Sequence, residues 1–300
     1  MTFALDHLVI NVLFDMDRAA TMMSRLGFTL TSRGYHSLGS INHLMVFEGH
    51  YLELIGLPSA AEILRKDVLE SPRGLNGLVF QASDVDACLG RLRQSGLAML
   101  EPQSFSRPVT IDGVEQVARF RTVRTAPELF EAGRVYYCQH DTPELVWHRP
   151  WMAHANGCSG LSELVVVTGA IEADASRYAK ATQAHAEKRG SEIWTIDLPG
   201  GFRLTLMSPA RYLERYGERS VDGNGRHSFF GAVVLEAAGL DSVRGFVSSI
   251  PELRVSASAN SLLVLVPFLN TLLEFRSDRL SMIRKSGNRF SEKDHAQTKR

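Results

Sequence analysis

The chain has 300 residues, 44% of them hydrophobic, and its 33 basic side chains are balanced by 33 acidic ones. That length suits about two domains of roughly 150 residues each, the neutral balance gives no electrostatic footprint for nucleic acid or an anionic membrane, and no apolar run approaches the ~20 residues of a spanning helix. Three cysteines without CxxC spacing (Cys88, Cys138, Cys158), and an N-terminus that enters a strand without a basic region or cleavage site, predict a cytoplasmic protein rather than a secreted disulfide scaffold.

The stretch Ala4–Leu57 reads as strand, helix and three strands. Strand alternation turns Leu8, Ile10 and Val12 toward the helix that follows, and puts His7, Val9 and Asn11 on the other face. Asp15 is the expected N-cap, Ala19, Met22, Met23 and Leu26 form an apolar stripe, and Gly27 sits where a left-handed terminus belongs. In YLELI the same alternation separates Leu52 and Leu54 from Tyr51, Glu53 and Ile55. Two strands thus each bring one ligand-type side chain to a face suited to forming a cup.

A second unit begins near Leu75, with LNGLVFQ as its strand and a helix carrying Val85, Cys88, Leu89 and Leu92 at i, i+3, i+4, i+7, closed by Gly96. Its later strands are expected at QVARFRTV and RVYYCQH, separated by a long insertion around 126–133. A third unit opens with GLSELVVVTG, continues as a helix from Glu172 to Arg189, and ends in EIWTID and RLTLMSP. YLERYGERS is expected as a short helix with solvated charges, and GNGRH as a loop. The fourth unit is FFGAVVLEAAGLDSVRGFVSSI, with Asp241 as cap, then LRVSA, SLLVLVP and TLLEFR. LDHLVIN aligns with LNGLVFQ, so the βαβββ unit repeats. The expected organisation is a first domain over 1–150 (units 1–74 and 75–150), a linker over 151–160, a second domain over 161–290 and a polar tail over 291–300.

The combination of LDHLVI, RGYHSLGSINHLMVF, YLELIG and YYCQHDTPELVW resembles the vicinal oxygen chelate superfamily (glyoxalases, bleomycin-resistance proteins, extradiol dioxygenases), and within it the glyoxalase-like domain proteins. The resemblance implies an α+β fold of four βαβββ modules paired into two glyoxalase-like domains, each a curved mixed sheet around a pocket that usually holds a divalent metal. Lyases, isomerases, ring-opening dioxygenases and metal-free binding proteins all use this fold, so the fold alone fixes no reaction.

By that resemblance, metal ligands come from the first and last strands of each unit. Carried over, they are His7 and Glu53 in the first unit; in the second, the first-strand position falls on Gly77, which cannot ligate, and His140 closes RVYYCQH on the face of Tyr136 and Cys138. Two imidazoles and a carboxylate suit Fe, Mn, Zn or Ni with open positions for substrate. Each histidine can equally be a hydrogen-bonded core residue, and one residue of slip in the last strand would turn Gln139 inward instead of His140. His36 is a substrate-contacting or acid–base candidate, or else a turn residue; Glu53 is the other candidate for proton transfer. Asn11, Asn42, Tyr51 and Tyr136 are expected to bind substrate, Trp147 to form a wall or rim, and His43 to be structural. In the second domain, Glu163, Thr205, Gly231 and Glu274 stand for His7, Glu53, Gly77 and His140. Two carboxylates without an imidazole read as a degenerate copy, with a small-cation or amine site as the alternative. There is no GxxxxGK[ST], HExxH or GxSxG motif.

The expected function is a metal-dependent enzyme acting on a small oxygenated substrate, by lyase or isomerase chemistry rather than dioxygenase chemistry, since the ring-cleaving members keep their site in the second domain and here that domain lacks the histidines. The alternative is a metal-free small-molecule binding or sequestering protein. A small-molecule substrate is the expected partner, with no nucleic acid and no membrane; a homodimer stays open.

Overall fold

A computed structural model describes residues 2–59 and 65–277, so the tail expected over 291–300 and the end of the second domain lie outside the described residues. The first unit is β1 (Leu5–Leu13), α1 (Met16–Arg25), β2 (Gly34–Tyr35), β3 (Ile41–Val46) and β4 (Tyr51–Gly56). The one-turn helix α2 (Lys66–Leu69) leads to the second: β5 (Gly74–Gln81), α3 (Val85–Gln94), β6 (Gln103–Ile111), β7 (Val114–Arg124) and β8 (Arg134–His140). The third is β9 (Cys158–Thr168), α4 (Ile171–Thr182), β10 (Ala186–Gly190), β11 (Ile193–Asp197) and β12 (Arg203–Met207). Helix α5 (Pro209–Tyr216) precedes the fourth: β13 (Ser228–Ala237), α6 (Leu240–Val247), β14 (Arg254–Ala257), β15 (Ser261–Val266) and β16 (Thr271–Ser277).

These strands form two eight-stranded sheets, ordered β2-β3-β4-β1-β5-β8-β7-β6 and β10-β11-β12-β9-β13-β16-β15-β14. The same plan occurs twice: the opening strands of paired units run antiparallel at the centre, and each lies parallel to the last strand of its own unit. The architecture is α+β, as the repeat predicts. Leu8, Ile10 and Val12 pack with Met22, Met23 and Leu26 of the first unit, in a core continuous with Leu164, Val166 and Tyr178 of the third. Val9, Val79, Tyr136 and Cys138 cluster on the opposite face of the first sheet, which lines the cup.

Several local expectations give way to stronger interactions. Asp15 makes no side-chain cap; its carboxylate pairs with Arg73 at 2.5 Å. The helix expected to reach Arg189 stops at Thr182, where Gln183 takes a left-handed φ of 54°, and Ala186–Gly190 pairs with β11 instead. Gly239 is the N-cap of α6, with Asp241 in its first turn beside Arg244. In α5, Tyr212 and Tyr216 are buried and Arg215 turns inward, so this helix is not simply a solvated one. The stretch expected as a linker is pinned to the first sheet: Asn156 donates to Leu26 O at 2.9 Å, and His154 bridges Thr29 N and Val46 O, both at 3.0 Å.

The largest departure is the long excursion of the second unit. It is the hairpin β6–β7, turning at Asp112 and Gly113 with φ of 51° and 79°, the two positive values a primed two-residue turn requires. Ser37 N donates to Ser106 O at 2.8 Å, and Ser106 N to Ser37 Oγ at 3.1 Å. These bonds fasten β6 to the 36–40 loop and roof the cup. Among the described residues no helix is long and apolar enough to cross a membrane.

Candidate functional site

Three strand registers assemble the site. Parallel pairing of β1 with β4 sets Val9 opposite Glu53, antiparallel pairing with β5 sets His7 opposite Val79, and parallel pairing of β5 with β8 sets Val79 opposite Tyr136. His7, Glu53 and Tyr136 therefore meet: His7 Nε2 lies 3.6 Å from Glu53 Oε2 and 3.4 Å from Tyr136 Oη. Each ring or carboxylate is fixed from behind. Asp6 accepts from His7 Nδ1 at 2.5 Å, which turns Nε2 to the cup, and Asn42 Nδ2 donates to Glu53 Oε1 at 2.8 Å, leaving Oε2 forward. Tyr51 stacks on the His7 ring with centroids 4.3 Å apart. Burial pushes the Tyr136 phenol well above its ordinary value, with the Glu53 charge adding to it, so the neutral hydroxyl is the resting form.

Strict alternation would send Asp6 to the far side of the sheet from His7. A register shift between Leu5 and His7 makes Asp6 the unpaired residue of a bulge, and bulges re-aim side chains. Asp6 is wholly buried and takes His140 as well, whose Nε2 lies 3.0 Å from Oδ2. The ligand set expected from sequence is thus not one cluster: His7 and Glu53 face each other, while His140 is spent on Asp6. Among the described residues the group of three with ligand atoms within 4.8 Å is Asp6, Cys138 and His140. Its thiol is pushed well up by burial and by the Asp6 and Glu53 charges; a protonated thiol is a poor ligand.

The register also explains the choice of last-strand residue. In the second sheet Glu163 is opposite Val234 and Val234 opposite Glu274, as His7 is opposite Val79 and Val79 opposite Tyr136. Glu274 therefore corresponds to Tyr136, not to His140, and Ala232, not Gly231, corresponds to Gly77. Gly77 has a steric role: a Cβ there would lie 2.7 Å from Val9 Cβ.

His36, Asn42, Tyr51, Glu53 and Tyr136 line a cavity of about 30 Å³ with His7, and Arg107 reaches it from β6. Arg124 and Tyr136 also border a neighbouring cleft of about 480 Å³. His36 Nδ1 is 2.8 Å from Ser40 Oγ, which itself accepts from Arg65 Nη1 at 3.2 Å. Burial first, then the Arg65 and Arg107 charges, holds the ring well below its usual range, so it is neutral. Asn11, in contrast, is outside the cavity: its amide donates to Val68 O at 2.9 Å and Ser71 O at 3.0 Å, and its Oδ1 accepts from Leu13 N. Trp147 packs on His140 at 4.6 Å, and His43 bonds Thr31 O at 2.8 Å in a structural role.

The second cup holds no like-charge conflict. Arg215 spans Glu163 at 3.0 Å and Glu274 at 2.9 Å, Arg276 spans the same pair at 3.0 and 2.8 Å, and Tyr216 donates to Glu274 at 2.8 Å. Two guanidinium groups of the chain itself occupy the place that the alternative reading gave to an amine or small cation. Arg107, Asp6 and Arg215 were all missed in the sequence, since each depends on a bulge or on an element packed from elsewhere; the LDH triplet was the one local signal for Asp6.

Residues 5–182 match the family model of the glyoxalase-like domain. No curated protein matches the chain. Among solved structures it is similar to a hypothetical protein from Staphylococcus aureus (TM-score 0.63, 11% identity, covering 92% of this chain and all of that one). It is similar also to a mutant of 4-hydroxymandelate synthase from Streptomyces coelicolor (0.52, 14%, 93% of each chain). A third is a xylose isomerase-like TIM barrel/4-hydroxyphenylpyruvate dioxygenase fusion protein (0.56, 12%, covering 92% of this chain and 50% of that one). At these identities the likeness is one of fold.

Proposed function

The chain belongs to the glyoxalase-like domain family of the vicinal oxygen chelate superfamily, and from that premise we propose that its first cup is the active site of a divalent-metal-dependent enzyme acting on a small oxygenated substrate, by lyase or isomerase chemistry. The observation that carries this is the convergence of His7 Nε2, Glu53 Oε2 and Tyr136 Oη, with separations of 3.6 and 3.4 Å from the imidazole. Two donors on a common ion with bonds of about 2.1 Å stand about 3–3.5 Å apart; the His7 imidazole and the Glu53 carboxylate, at 3.6 Å, come close to that and are donor types that suit Fe, Mn, Zn or Ni, with the neutral Tyr136 hydroxyl beside them as a hydrogen-bond donor. The backing of His7 by a buried carboxylate is the arrangement that orients a ligating imidazole.

When bound, the ion would supply Lewis acidity to a substrate oxygen. The chain's own residues do the rest. Asp6 and Asn42 hold His7 and Glu53 in place, and the neutral His36 on the cavity wall is the group to donate or relay a proton. Three unpaired buried cysteines support a cytoplasmic setting.

A second reading, a metal-free binding protein, is favoured by Arg65 and Arg107, whose positive charges line the same cavity and oppose a cation. Untagged protein titrated with Mn²⁺ and analysed for metal separates the two. The enzyme reading expects one ion per chain, lost in His7→Ala and Glu53→Ala. Absence of binding after supplementation overturns it and leaves the binder.

A further inference from the structure

We infer that the first cup takes a short 2-hydroxy carboxylic acid, its carboxylate on Arg107 and its hydroxyl on Asn42; this names a substrate class for the site and rests on reading that cup as the ligand pocket. Arg107 lies on the cup face of β6, alternating with Phe105 and Val109, and is only 3% exposed. Its Nη2 is buried without a partner, and among the described residues it forms no ion pair. The other guanidinium groups on this cavity are committed: Arg65 to Asp67 at 2.8 and 2.9 Å, Arg124 to Asp67 at 3.4 Å and Gln103 at 2.9 Å. The Glu53 charge acts on Arg107 through space and the Phe120 ring lies 6.0 Å from its guanidinium carbon, but neither gives Nη2 a bond, so this buried donor is left for an anionic acceptor.

A second orphan stands beside it. Asn42 Oδ1 is buried and accepts nothing, while its Nδ2 is used on Glu53. Gly34 packs against both side chains: a Cβ there would overlap Asn42 Oδ1 and lie 3.0 Å from Arg107 Cδ. A ligand that answers both presents an anionic acceptor and a hydroxyl donor; the small cavity favours the shortest such molecule, a 2-hydroxy acid of a few carbons.

The test is titration of lactate into the full chain, with and without Mn²⁺, beside propionate and 1,2-propanediol. Lactate is expected to bind, 1,2-propanediol and Arg107→Gln to lose about 30-fold, and propionate about tenfold. Arg107→Lys keeps the charge but not the fork and is expected about tenfold weaker. The inference is overturned if folded Arg107→Gln binds lactate as the natural chain does, or if 1,2-propanediol matches lactate. Should Arg107→Gln fail to fold, Arg107→Lys decides: affinity equal to the natural chain overturns it. Mn²⁺ binding without lactate binding sinks this inference and leaves the metal reading standing; Arg107-dependent lactate binding without Mn²⁺ does the reverse.

Discussion

His140 Nε2 lies 3.0 Å from Asp6 Oδ2, joining residues 134 positions apart. Through that carboxylate His140 supports the ring of His7, whose Nδ1 sits on the other oxygen. One histidine faces the cup and the other braces it.

The two histidines should therefore separate in metal titrations. His7→Ala and Glu53→Ala are expected to weaken Mn²⁺ binding by more than about 100-fold, whereas His140→Ala acts through Asp6 and costs about tenfold. Isothermal titration of the three variants checks this. A loss in His140→Ala as large as that in His7→Ala would make His140 a ligand.

Gly77 offers a steric test. By the resemblance its position is the one that carries a first-strand ligand in the family and cannot ligate here, and Val9 Cβ and Cγ2 would both lie 2.7 Å from an added Cβ. Val9 is β-branched and wholly buried, so it cannot swing aside. Gly77→Ala is expected to lower unfolding free energy by about 1–3 kcal/mol, and Gly77→His to weaken metal binding rather than improve it, by parting β1 from β5. Tighter metal binding in folded Gly77→His would restore the lost-ligand interpretation.

The repeat, the helix-facing stripe and the cup face of β1 and β4 are legible because periodicities of 2 and 3.6 report burial directly. His7, Glu53 and the structural role of His43 follow from it. What alternation misses is where the pattern breaks. The bulge at Asp6 puts two consecutive side chains to work together, and no periodicity announces it. The last-strand position was assigned to His140 by chemical type, whereas the β5–β8 register gives it to Tyr136. Arg107 lies on β6, a strand with five polar or charged residues interrupting its apolar ones, and reads as a loop until β7 pairs with it.

The second cup is expected to be structural. Removing Arg215 leaves Glu163 and Glu274 to share the Arg276 guanidinium, with Tyr216 still donating to Glu274. Burial pushes the Glu163 carboxyl up, but Arg215 first and Arg276 after it bring it below the usual range. Arg215→Met should cost about 2–4 kcal/mol, and the double variant Arg215→Met/Glu163→Gln less than Arg215→Met alone, because the stranded charge is gone. Urea unfolding measures both. Mn²⁺ affinity at the first cup should stay as it is; a parallel loss there would tie the two cups together.

Acid lability should report Asp67, the carboxylate that serves Arg65, Arg124 and Arg134. Burial raises its pKa, but Arg65 and then Arg134 and Arg124 outweigh burial and hold it at about 2, against an ordinary 3.8. A carboxyl depressed in the folded state binds its proton more readily when unfolded. Its contribution is therefore complete above about pH 4, falls as the pH drops toward 2, and is gone below, amounting to at most about 2 kcal/mol. Asp67→Asn should lower stability most at neutral pH, with the gap to the natural chain narrowing through that window. The same substitution frees Arg65 from its clamp, and with it the Ser40 hydroxyl that is bonded to His36. Urea midpoints of both proteins between pH 2 and 7 test the assignment, and a gap that stays constant down to pH 2 would rule it out.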